Sequence, residues 1–122
     1  MITKEKNDSG NIRTKALKKL KDAMEEEEAP EELLWETLKL FSGESFQTAK
    51  KLEFFYTIKG NEMFISRKEK SVTRATVMIA FRKALELGGT VSGPKKLGCF
   101  GASYLYPVFI RIGVIQSIEE KR

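Results

Sequence analysis

At 122 residues, 41% of them apolar and 32% charged, the chain is long enough to bury one hydrophobic core without disulfide or metal staples. Its formal net charge is +5, it has no histidine, and it has a single cysteine, Cys99. Ser-His-Asp and Cys-His catalysis within the chain, an intramolecular disulfide and a zinc site built on Cys and His are thereby excluded.

A lone thiol fits a reducing, cytoplasmic compartment. Residues 1–10 are polar and read as no secretory signal. The longest apolar run, Tyr104 to Ile110, is broken by Pro107 and falls well short of the roughly 20 residues that span a bilayer. The expectation is a soluble protein with no membrane partner.

The first predicted element is a helix over Ile12 to Glu28. Leu17, Leu20 and Met24 recur at helical spacing, between lysine-rich flanks and a run of glutamates from Glu25 to Glu28. Glutamates at a helix C-terminus oppose the dipole, so fraying is expected around Glu26 to Ala29, and residues 1–28 read as a charged, loosely docked arm. Pro30 suits the first position of a second helix, with Glu31 and Glu32 in its first turn and Leu34, Leu38 and Phe41 on one face. Gly43 is expected to end it as the left-handed residue after the cap.

From Phe46 the period changes to two. Leu52, Phe54, Tyr56 and Ile58 alternate with Glu53, Phe55, Thr57 and Lys59, and Gly60-Asn61 leads to Met63 and Ile65. This predicts a β-hairpin over Leu52 to Arg67 with a tight primed turn. Its Phe54/Tyr56/Ile58 face must be covered, and the expected cover is a helix from Thr73 to Leu87. Thr73 serves as its N-cap, Val72 and Val77 form a hydrophobic staple, and Gly88-Gly89 stops it. Residues 90–101, with glycines at 93, 98 and 101, read as a structured loop. Ser103 is expected to cap a short helix to Ile112, Val114-Ile115 to add a strand, and 116–122 to form a charged tail. The predicted class is α+β: one small domain over 29–115 with N-terminal helices, a β-hairpin packed on a central helix and a short C-terminal helix.

The charge is concentrated. Residues 66–96 contain eight Lys/Arg against two acidic residues, a net +6 that exceeds the excess of the whole chain. Arg67, Lys68, Lys70 and Arg74 flank the start of the Thr73 helix, whose free N–H groups and dipole favour an anion such as phosphate. Lys95 and Lys96 lie in a glycine-flanked loop, and Phe100, Tyr104 and Tyr106 follow at a distance suited to base stacking. The Gly-Pro-Lys-Lys-Leu-Gly run lacks the ending of a phosphate loop. Cys99 reads as a small buried residue. Glu53 and Glu62 are placed across the hairpin from each other, on a surface that gives no reason for an acid-base pair.

The run Phe64 to Val77, followed by Gly93 to Pro107 with its Gly-Cys-Phe-Gly-Ala-Ser-Tyr core, resembles a small family of uncharacterised bacterial proteins. The resemblance covers about Trp35 to Ile115 and implies a self-contained bacterial domain, with no activity attached. A helix-turn-helix is disfavoured by the gap of about 15 residues between the Thr73 and Ser103 helices, where that motif wants three or four. In a winged variant with the hairpin as wing, the recognition helix, Ser103 to Ile112, would be almost wholly apolar, with no base-reading Arg, Asn or Gln before Arg111. The reading is therefore a non-enzymatic binding module without a cofactor. It meets nucleic acid or another anionic partner through Arg67, Lys68, Lys70, Arg74, Lys95 and Lys96, with Phe100 and Tyr104 as stacking candidates. The alternative is a protein-interaction or homo-oligomeric assembly module that docks through the Leu17/Leu20/Met24 stripe.

Overall fold

The computed structural model describes residues 4–26 and 30–117, with side chains over 10–26 and 30–116. The class is α+β. The chain forms two compact units that divide between Phe41 and Ser42.

The first unit holds α1 (Lys4–Glu25) and α2 (Glu31–Leu40). α1 begins eight residues before the expected start at Ile12, because it runs through Gly10, and an interior glycine costs a helix only about 1 kcal/mol. Its last turn closes with Glu26 N–H on the Ala23 carbonyl. The fraying expected beyond that point falls largely on 27–29, outside the described residues. α1 makes specific contacts with α2. Arg13 Nε donates to the Leu40 carbonyl (3.1 Å), and its guanidinium lies 4.7 Å from the Phe41 ring centroid, so a cation meets the C-terminus of α2. Leu20 is fully buried and Leu17 and Met24 are half-buried. Pro30 stands at the cap rather than inside α2, its carbonyl accepting from Leu34 N–H at 3.0 Å. Gly43 is left-handed as expected (φ +90°), but it lies two residues beyond the C-cap Phe41 and donates to the Tyr56 carbonyl.

The second unit opens with a hairpin that the alternation alone did not disclose. β1 (Phe46–Gln47) pairs antiparallel with β2 (Glu53–Phe54), Phe46 opposite Phe54. The buried Thr48 hydroxyl accepts from Leu52 N–H at 3.1 Å and holds the intervening loop, in which Lys51 adopts φ +69°. β3 (Tyr56–Lys59), β4 (Glu62–Ile65) and β5 (Val72–Thr73) form a separate antiparallel sheet in that order. The expected hairpin turn is present: Lys59 faces Glu62 across Gly60-Asn61, with Gly60 at φ +60° as a II′ turn requires. Phe54 and Tyr56 are buried, Ile58 only half so. Other aromatic rings also meet them. Phe46 stacks on both Phe54 and Tyr56, with centroids 5.7 and 5.8 Å away, and Tyr104 meets Phe54 edge-on at 5.0 Å.

α3 (Arg74–Glu86) has the expected bounds. Thr73 caps it by accepting from Thr76 N–H, Val72 and Val77 are fully buried, and Gly88 and Gly89 (φ +75° and +79°) end it. Ala80, Phe81 and Ala84 bury its inner face completely. A short β6 (Thr90–Val91) leads to a 3-10 turn over Pro94–Leu97 and then to α4 (Ala102–Arg111). Gly101, not Ser103, occupies the N-cap of α4. Pro107 sits in mid-helix and the helix continues through it to Arg111, whose Nε pairs with Glu44 at 2.7 Å. The final strand is β7 (Gln116–Ser117), parallel to β6, in place of the expected strand at Val114-Ile115, which are instead buried core. The start of the expected charged tail is thus part of the fold, and 118–122 lie outside the described residues. Among the described residues no helix is long and apolar enough to cross a membrane.

Candidate nucleic-acid interface

The four basic residues expected at one junction are divided between two ends of β4. β5 pairs back along β4 with Thr73 opposite Glu62, so Arg74 lies at the hairpin turn. There its N–H donates to the Asn61 carbonyl (2.8 Å) and its Nη1 to Asn61 Oδ1 (3.4 Å). The loop 66–71 leaves the other end of β4, which at strand rise is about 10–13 Å away. The N-terminus of α3 is also less open than expected, because Arg74 N–H serves Asn61 and Thr76 N–H serves Thr73 Oγ1. Arg74 and the α3 dipole therefore leave the candidate set. Arg67 and Lys96 are exposed, and neither lines the groove described below.

The loop's lysines meet the aromatic segment instead. Lys68 Nζ lies 4.5 Å from the Phe100 ring centroid and 5.8 Å from that of Tyr104, and Lys70 Nζ lies 5.9 Å from Phe100. An exposed cation–π contact is worth about 0.5–1 kcal/mol, enough to bias two flexible ammonium groups toward one ring. The backbone that brings them together is tight. Gly101, in left-handed conformation, packs directly on the Val72 side chain and so sets Phe100 beside the end of the 66–71 loop.

Next to this cluster is an open groove of about 810 Å³. Thr48, Ala49, Lys50 and Leu52 of the β1–β2 loop form one part of its lining. Pro94, Lys95 and Cys99 form another, and Phe100, Ala102 and Tyr104 complete it with Ser103 and Gly98. Burial pushes the Cys99 thiol above its ordinary pKa, which makes it a poor nucleophile near neutrality. The lining includes two lysines and no carboxylate. Lys50 did not stand out in the sequence because its segment is net negative.

Among the described residues Lys18 pairs with Asp22, Lys39 with Glu36 and Lys83 with Glu86, and the other lysines, Lys15, Lys19 and Lys21 of α1 included, pair with no carboxylate. Lys50, Lys68, Lys70 and Lys95 pair with no carboxylate among the described residues. Tyr104 is half-buried and already in edge contact with Phe54, whereas Phe100 is 44% exposed. Tyr106 is a structural residue, its hydroxyl donating to the Val91 carbonyl at 2.9 Å.

The carboxylates expected to face each other do not. Glu53 stands opposite Gln47 and accepts from Ser45, while Glu62 stands opposite Lys59 and accepts from Ser71. No family model matches the chain, and no curated protein or solved structure is significantly similar to it. The roles of these residues rest on their chemistry and geometry.

Proposed function

We propose that the chain is a non-enzymatic, cytoplasmic binding module for nucleic acid, which it meets through the phosphate backbone. The observation that carries this reading is the placement of Lys68 and Lys70 over Phe100, beside a groove whose lining includes Lys50 and Lys95. Four cations gathered at one groove and its rim present positive charge that a polyphosphate satisfies, and binding releases the counterions of the polymer. Contacts of this kind position a strand and read little sequence.

The test is salt dependence. Neutralising about four phosphates implies a log–log slope of affinity against salt of about −3 to −4. Changing Lys50, Lys68, Lys70 and Lys95 together to Gln flattens that slope and leaves unfolding nearly unchanged, because exposed charges add little stability. The matched control removes the same charge from α1, at Lys15, Lys18, Lys19 and Lys21. Equal loss from both sets means diffuse attraction without a site. Absence of binding to any DNA or RNA at about 50 mM salt overturns the reading.

A further inference from the structure

We infer that the groove between the β1–β2 loop and the start of α4 is a pocket for one unpaired nucleobase, so that the module takes single strands in preference to duplex. The inference rests on the nucleic-acid reading above and specifies which form of the polymer fits. The groove's volume of about 810 Å³ falls in the range of small-molecule sites, roughly 300–1,000 Å³. Leu52, Pro94, Ala102 and the Tyr104 ring give the groove an apolar part of its lining. That part of the lining suits the π-face of a base.

The charge lies elsewhere on the same groove. Lys50 comes from the β1–β2 loop and Lys95 from the 3-10 turn, on separate segments of the lining. Lys68 and Lys70 lie over Phe100, whose ring also lines the groove. An apolar, aromatic-lined cleft with cations and no lining carboxylate is complementary to a nucleotide, whose base is apolar on its faces and whose backbone is anionic. In a duplex the base is stacked and paired, and extruding it costs a few kcal/mol. The groove is therefore accessible to an unpaired base and closed to a paired one. Phe100 and Tyr104 both line the groove and are the rings on which the base stacks, the more exposed Phe100 also holding the lysines.

The protein contains its own reporter. Cys99 is the sole cysteine, lines the groove and is partly accessible, so its rate of alkylation reads occupancy directly. Alkylation by iodoacetamide is measured with three probes of equal length: oligothymidylate, its duplex with oligoadenylate, and an abasic deoxyribose-phosphate strand. Oligouridylate is run beside oligothymidylate to compare RNA with DNA. At saturation, oligothymidylate is expected to slow alkylation at least fivefold, while the duplex and the abasic strand change it less than twofold. Ala49→Trp fills the groove from an exposed loop position and should abolish the preference for single strands while leaving salt-dependent duplex binding in place. If the abasic strand protects as well as oligothymidylate, or if oligothymidylate binds without protecting, the base pocket is wrong and the backbone-binding reading stands. If no probe binds, both fall.

Discussion

A Cβ on Gly101 would lie 2.9 Å from Cγ2 of Val72, inside any normal carbon–carbon contact. Gly101 is the N-cap of α4, and Val72 immediately precedes the cap of α3, so one bare backbone position sets the spacing between the starts of two helices. Its φ of +82° adds a second demand that only glycine meets without strain. Gly101→Ala should cost about 2–4 kcal/mol in denaturant unfolding, combining backbone strain with overpacking. It should also weaken nucleic-acid binding, because Phe100 moves with it. A change below 1 kcal/mol would mean that the two helix starts yield easily.

Phe81 is fully buried in the middle of α3 between Ala80 and Ala84. Phe81→Ala should cost about 3–5 kcal/mol, and the same measurement on Phe100→Ala should give far less, since that ring is 44% exposed. Comparable losses from the two would show that Phe100 supports the fold rather than a surface cluster.

Lys51 is the one non-glycine residue with positive φ among the described residues. A left-handed lysine costs about 1–2 kcal/mol, part of which glycine would recover at the expense of extra freedom in the unfolded chain. Lys51→Gly should therefore leave stability unchanged or raise it by up to about 1 kcal/mol. Destabilisation of more than that would point to a contact of the lysine side chain that matters to the loop.

The Cys99 thiol has a pKa raised by burial, so the folded protein holds its proton more tightly than the unfolded chain does. The sign follows directly. This contribution is complete below the unfolded thiol pKa and is lost as pH rises through the higher folded value. The pH profile of alkylation should have its midpoint above that of the urea-unfolded protein, and Cys99→Ser should remove the matching alkaline loss of stability. A folded midpoint at or below the unfolded one would contradict the burial.

The elements legible from sequence are those whose signals are local. α3 is bounded by Val72, Thr73 and Val77 at one end and by Gly88 at the other, all within a turn of the residues they govern. The β3–β4 turn is set by Gly60 alone. β1–β2 escaped because its strands are two residues long and its loop is held by one hydroxyl, Thr48 Oγ1, and one strained lysine. Neither leaves a period to detect. The site divides in the same way. Charge density in 66–96 pointed to Lys68, Lys70 and Lys95, but it also recruited Arg74, which sheet register carries to the far end of β4. The meeting of Lys68 with Phe100 spans 32 residues and depends on the Gly101–Val72 contact, which no spacing rule anticipates.

The run from Phe54 to Ile58 has a cost during synthesis and refolding that the folded state hides. It is apolar, rich in β-formers and free of proline, the composition of segments that pair between chains. Even when folded, Phe55 and Phe64 remain 43% and 41% exposed. Glu53 and Lys59 bracket the run, and the Lys59 ammonium lies 6.0 Å from the Phe64 ring centroid. These two charges act as gatekeepers against intermolecular strand pairing. Lys59→Thr keeps a good strand residue and removes that protection, so light scattering on thermal unfolding should begin earlier and rise faster while the free energy of urea unfolding stays within about 0.5 kcal/mol of the parent.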